Sequence, residues 1–185
     1  MIARWLSIVF HPFVMVSVMV GTAAAARQTA GEALRTVAIV ALVTCVPLMI
    51  LMIRQVRRGA WTNVDASNRA ERPLLYFTLA APLVALLAYA WLHSQSFMVR
   101  GIVATLGMVG ACAWLTRWIK VSLHMAFASL AATSLALMRS PVGYALVMVL
   151  PALVWSRVTL ERHTVPEVAL GTIIGAAAGA AMHYV

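Results

Sequence analysis

Seven apolar runs divide the chain, at roughly 5–26, 36–53, 74–92, 101–116, 122–138, 140–155 and 168–185. No other feature restricts the fold as much. A helix needs ~20 apolar residues, with ~17 as a lower limit, to cross ~30 Å of hydrocarbon. Lipid offers no partner to an open backbone N–H or C=O, so the runs read as helices and not as open strands. The fourth and sixth runs are short for a full crossing, which predicts little tilt or ends that sit below the membrane surface. The expectation is an all-α, polytopic membrane helix bundle with about seven (six to seven) transmembrane helices. Composition agrees, since 63% of the 185 residues are hydrophobic and only 10% are charged, far from the balance of a soluble core. No linker, low-complexity segment or fixed-period repeat interrupts the pattern, so residues 1–185 read as a single domain. The opening MIARWLSIVF lacks a small-residue cleavage site after a short apolar core and reads as a retained first span. Cys45 and Cys112 both fall inside apolar runs and read as small core residues.

Alternation of the spans sorts the connecting segments. Segments 54–73, 117–121 and 156–167 share one face with the N-terminus, and segments 27–35, 93–100 and 139 share the other with the C-terminus. Ten Lys or Arg fall on the first face: Arg4, Arg54, Arg57, Arg58, Arg69, Arg72, Arg117, Lys120, Arg157 and Arg162. Four fall on the second: Arg27, Arg35, Arg100 and Arg139. The first face also carries His124, His163 and four of the five acidic residues. An excess of Lys and Arg marks the cytoplasmic side, so the expected setting is a bacterial-type inner membrane with this face in the cytoplasm. The lean is slight: without Arg69, Arg72, Lys120, Arg157 and Arg162, which belong to the motifs below, five stand against four.

Clustered Arg and Lys with two histidines suit a phosphate group. Guanidinium forks match phosphate oxygens bidentately, and a histidine serves as nucleophile or general acid near neutral pH. Ser122 and Thr164 stand where they can cap the fifth and seventh spans, and helix N-termini favour phosphate.

Three short motifs follow one another on this face. The first is Arg72-Pro73, within NVDASNRAERPLLY. The second is Val121-Ser122-Leu123-His124. The third is Ser156-Arg157, five residues, His163, three residues, Glu167. In order and placement they resemble the signature of the type 2 phosphatidic acid phosphatase superfamily, K-x6-R-P, P-S-G-H and S-R-x5-H-x3-D. The resemblance covers about residues 60 to 180; the third motif is specific, and the other two would be weak alone. It implies a metal-independent, cofactor-free lipid phosphatase that hydrolyses a phosphomonoester or diphosphate of a lipid: polyprenyl diphosphate, phosphatidic acid or phosphatidylglycerol phosphate. It also implies roles. His163 would attack phosphorus and form a phosphohistidine, and His124 would protonate the leaving oxygen. Arg72 and Arg157 would hold the phosphate oxygens with Ser122 and nearby backbone N–H groups. Glu167 would orient His163 through its other ring nitrogen. The chain departs from the signature at Asp65, where the family has lysine, at Leu123, where it has glycine, and at Glu167, where it has aspartate. Lys120 or Arg69 would then supply the missing positive charge, and Asp65 would turn away to pair with an arginine such as Arg69.

Plainer roles compete with these. Thr164-Val165-Pro166-Glu167 is a capping-box pattern, so Glu167 can serve the Thr164 N–H alone. Arg54, Arg57 and Arg58 read as topology charges, and Glu161 and Arg162 as solvated. His11-Pro12 reads as a kink with a local hydrogen bond. Gly171, Gly175 and Gly179, four residues apart, form a close-packing face, within the bundle or as a homo-oligomer seam. A catalytically inactive lipid-phosphate-binding or assembly protein of the same fold is the alternative function. Magnesium-dependent prenyl or CDP-alcohol transfer would need paired Asp-rich motifs, and the chain has one aspartate. The expected partners are the lipid substrate and membrane lipids, with no nucleic acid.

Overall fold

The computed structural model describes residues 1–63, 66 and 68–184. Among them the chain is helical, with no strand. Helices α1 (Ile2–Val9) and α2 (Pro12–Ala25) are joined at His11-Pro12 with a 45° bend. Next come α3 (Ala30–Val40) and α4 (Val46–Arg57), continuous through a π-helical turn, Ala41–Cys45. Then follow α5 (Arg72–Leu92), α6 (Ser96–Leu115), α7 (Leu123–Leu137), α8 (Pro141–Thr159) and α9 (Val165–Tyr184). The π turn has a cause in the sequence. Pro47 has no N–H, and its ring crowds the carbonyl four residues earlier, so the ladder widens just ahead of it.

Five of these helical stretches are long and apolar enough to cross a membrane, and the bent α1–α2 pair makes a sixth. Among the described residues each of the seven apolar runs falls on helix, the first broken at His11, but the short ones are not those expected. The fourth and sixth runs gain polar ends, beginning at Ser96 and running on to Thr159, and reach 20 and 19 residues. The fifth run is the short one: α7 has 15 residues. It lies at the centre of the bundle, packed against α2, α8 and α9, and Met125, Ala126, Leu130, Ala132 and Leu135 are fully buried. Its small residues, among them Ala126, Ser129, Ala131 and Ala132, let neighbouring backbones approach on several sides.

The closest approach is that of α9. An added Cβ on Gly171 would stand 2.5 Å from the Ser122 carbonyl oxygen, and one on Gly179 2.7 Å from that of Leu130. At Gly175 the same atom would meet Ala126 O and Ser129 Oγ. The glycine stripe is therefore taken up against α7 within the chain, and this corrects the expectation that it could serve as a seam between copies.

Candidate functional site

The start of α9 sets the site. Gly171 allows the helix so close to segment 121–122 that the Ser122 N–H donates to the Glu167 carbonyl at 3.1 Å. This bond ties the second motif to the third. The loop after α8 is tied back as well: the N–H groups of Arg162 and His163 both donate to the Arg157 carbonyl, at 3.2 and 3.3 Å. Nζ of Lys120 reaches across to the Arg162 carbonyl at 2.8 Å.

His163 is 8% exposed, and its Nδ1 lies 2.9 Å from Glu167 Oε2. The same oxygen accepts from the Thr164 N–H at 3.2 Å. The capping role and the orienting role of Glu167 therefore coexist on one atom. With Nδ1–H donated to the carboxylate, Nε2 carries the lone pair of the neutral ring. Burial first, then the charges of Arg72, Arg157 and Lys120 and the nearby His124, push His163 down to about 2, so the ring stays neutral. Burial also pushes Lys120 down, against the pull of Glu167, whose Oε2 stands 3.9 Å from Nζ.

Arg72 is 2% exposed. Its Nε donates to the Ala66 carbonyl at 3.3 Å, and its Nη1 donates to the Val121 carbonyl and, at 3.3 Å, to Tyr76 Oη. Tyr76 is in turn bonded to Thr116 Oγ1 at 2.9 Å. Among the described residues Arg72 therefore meets neutral oxygens only. A buried cation so placed retains most of its attraction for an anion. Arg157, 1% exposed, points Nη1 at Ser7 Oγ, 2.6 Å away, while Ser156 Oγ donates to the Ala3 carbonyl at 2.6 Å. The two residues lie on the last turns of α8 and not in a loop, and they pin α1 to the site.

Ser122 holds the N-cap position of α7, but its Oγ makes no capping bond, which corrects the role read from the sequence. Ser122 Oγ and His124 Nε2 are both buried without a hydrogen-bond partner. Buried polar atoms are nearly always satisfied, and a bound oxyanion beside Arg72 and His163 would satisfy these two. Arg69 is not buried with this group, though its charge acts on Lys120. It is exposed and donates to the Trp118 carbonyl at 2.6 Å. Arg162 is half-buried, not free in solvent. Asp65 and its expected pairing with Arg69 lie outside the described residues.

Three side chains of the site were not read from the sequence. Glu71, 7% exposed, accepts from the backbone N–H groups of Thr62 at 3.0 Å and Asn68 at 3.3 Å, and so shapes the loop that presents Arg72. Asn68-x2-Glu71 is a capping-box spacing that would have revealed it. Tyr76 stands four residues after Arg72, one helical turn on, where an i,i+4 contact is expected. Ser7 carries no sequence signal. His11 does cap α2, its Nδ1 accepting from the Phe13 N–H at 3.3 Å, as the kink reading requires. Its ring also stands edge-on to that of His124, 5.1 Å between centroids.

In comparisons with known proteins, no family model, no curated protein and no solved structure matches this chain.

Proposed function

We propose that the chain is a multi-pass membrane lipid phosphatase, releasing phosphate from a lipid phosphomonoester or diphosphate through a phosphohistidine on His163. One observation carries the reading: a buried imidazole rests one ring nitrogen on a carboxylate, within charge range of Lys120 and two almost fully buried guanidinium groups. Cations in a water-poor site stabilise the charge that spreads over the equatorial oxygens of a phosphoryl group in transfer. In this scheme the Nε2 lone pair of His163 attacks phosphorus, and the bond to the lipid oxygen breaks. Glu167 holds the tautomer and stabilises the imidazolium that forms. Arg72, Arg157, Lys120 and Ser122 hold the phosphoryl oxygens. His124, whose Nε2 is unpartnered, takes up a proton once the phosphate dianion is bound beside it and passes that proton to the departing lipid oxygen. Water then attacks the phosphohistidine while His124, now neutral, takes its proton; the P–N bond breaks, phosphate leaves, and His163 is restored. The order and spacing of the three motifs support the same roles, since they resemble the phosphatidic acid phosphatase signature. A lipid suits the site because an apolar cavity begins beside it, at His11, Leu123 and His124.

The test is phosphate release by the purified protein over a panel of lipid phosphates and diphosphates, with and without EDTA and vanadate. Release that persists in EDTA and is inhibited by vanadate, a mimic of five-coordinate phosphorus, is the expected result. Release that stops on chelation and returns with magnesium would overturn the mechanism. Lipid binding with no turnover would favour the inactive lipid-binding reading. Charge leans the site face slightly to the cytoplasmic side, ten Lys and Arg against four, or five against four without the five in the motifs. A cysteine replacing Asn68, in a background lacking Cys45 and Cys112, should therefore resist an impermeant maleimide in intact spheroplasts.

A further inference from the structure

The cavity beside His124 continues far past the site. On α7 its wall runs from Leu123 and His124 to Ser134 and Met138. At a 1.5 Å rise per residue that is about 22 Å, most of the ~30 Å hydrocarbon thickness. On α5 it is lined by Leu75, Leu79, Leu83 and Leu86, one side chain per turn. The π turn contributes Thr44 and Cys45, and α2 contributes Phe13, Val16 and Met19. The space is about 250 Å³. Its two ends differ in chemistry from its wall. One end is His11 and His124, and the other is Arg27, Arg100 and His183. Arg27 is held there by the Ala23 carbonyl at 3.0 Å and lies over the Phe97 ring, 5.7 Å from its centroid.

Resting on the phosphatase reading, we infer that this cavity takes one hydrocarbon chain of the substrate and measures its length. The occupant is fixed by the two ends. A phosphate at His163 leaves its lipid oxygen beside His124, so the attached chain starts at the cavity mouth. The apolar wall then carries it across the bundle to the polar groups at the far end. A chain that fits gains contact with each added methylene. A longer one must desolvate Arg27 and Arg100 or turn out between helices, and neither is favourable. A second chain on the same lipid stays in the bilayer. For chains presented from water the gain is about fourfold in kcat/KM per methylene until the end is reached.

Gly101, on α6, makes a clean test. It lines the cavity near the far end, and a Cβ built there meets nothing within 4 Å. Gly101→Leu therefore grows into the cavity without touching backbone, and leucine favours the helix more than glycine does. The assay is phosphate release from octyl, dodecyl and hexadecyl phosphate, below their micelle concentrations or at fixed mole fraction in detergent. Wild type should prefer hexadecyl phosphate. Gly101→Leu should keep the octyl rate and lose at least tenfold on the hexadecyl substrate. The same chain-length profile in both proteins would overturn the inference. A second measurement does not need turnover. Hexadecyl phosphate with a terminal diazirine should photolabel Phe97, Met98 or Met182 in wild type and in His163→Ala alike, whereas the octyl probe should label near Leu79. Labelling of outward residues such as Phe77 and Trp91 by both probes would overturn it. Labelling at the far end with no phosphate release would instead overturn the phosphatase reading and leave the cavity assignment standing.

Discussion

Gly171→Ala tests the packing that assembles the site. The new Cβ would stand 2.5 Å from the Ser122 carbonyl oxygen, and ordinary contact begins near 3.4 Å, so α9 must retreat from segment 121–125 by about 0.9 Å. That movement stretches the bond from the Ser122 N–H to the Glu167 carbonyl, now 3.1 Å, to as much as about 4.0 Å, beyond the hydrogen-bond range. It also carries His163 and Glu167 away from Lys120 and His124. Overpacking of this size costs about 1–3 kcal/mol. Replacing a helical glycine by alanine returns up to about 1 kcal/mol. The net loss of stability is modest, about 0–3 kcal/mol. The loss of activity is not small, because a displacement of ~1 Å in a catalytic constellation costs ~10²-fold. Gly107 and Gly110 on α6 are the controls, since a Cβ at either meets nothing within 4 Å. Thermal unfolding in detergent and kcat/KM for phosphate release, measured on all three alanine variants, decide the matter. If Gly171→Ala matches the controls in both, the close approach does not organise the site.

Three further outcomes follow from the same geometry. Lys120→Ala should lower kcat/KM by ~10²-fold, about 3 kcal/mol, with folding and expression unchanged; a loss of a few fold would return Lys120 to the surrounding headgroups. Tyr76→Phe removes an acceptor of Arg72 and the partner of Thr116, so it should cost about 1 kcal/mol of stability and raise KM, and an unchanged KM would separate Tyr76 from the site. His163 is lowered in the folded chain from an unfolded value of ~6.5. The unfolded chain therefore takes up the proton first, and the stability linked to the neutral ring is complete above about pH 6.5 and lost as pH falls, by up to about 1.4 kcal/mol per unit. His163→Phe should flatten the fall of the melting temperature between pH 6.5 and pH 5, and an identical slope would mean that the ring is already charged.

The helical bundle was legible because lipid leaves a long apolar run one choice of backbone. Run length was a poorer guide to helix length, since helix ends are polar: Ser96 and Arg100 open α6, and Ser156 and Arg157 close α8. The internal break at His11-Pro12 was visible as a proline signal, but its second consequence, the His11 ring against His124, depends on how α2 packs on α7. The members of the polar group were legible from spacing where one helix or loop holds them, as with His163 and Glu167. Lys120 was named as a replacement for the lysine that the signature has and this chain lacks. Ser7 and the Ala3 carbonyl were not legible, because they meet Arg157 and Ser156 across 150 and 153 residues of chain. Glu71 and Tyr76 carried local signals, a capping box and an i,i+4 contact, that become informative once Arg72 is known to be buried.

The central claim is that His163 carries the phosphoryl group. The most direct measurement is rapid quench of the protein with a ³²P-labelled lipid phosphate, followed by denaturation and peptide mapping. Acid-labile, alkali-stable label on the peptide containing His163, absent from His163→Ala and accumulating in a variant slow to hydrolyse it, is the predicted result. Phosphate release by His163→Ala at near wild-type rate, or label on another residue, would contradict the account.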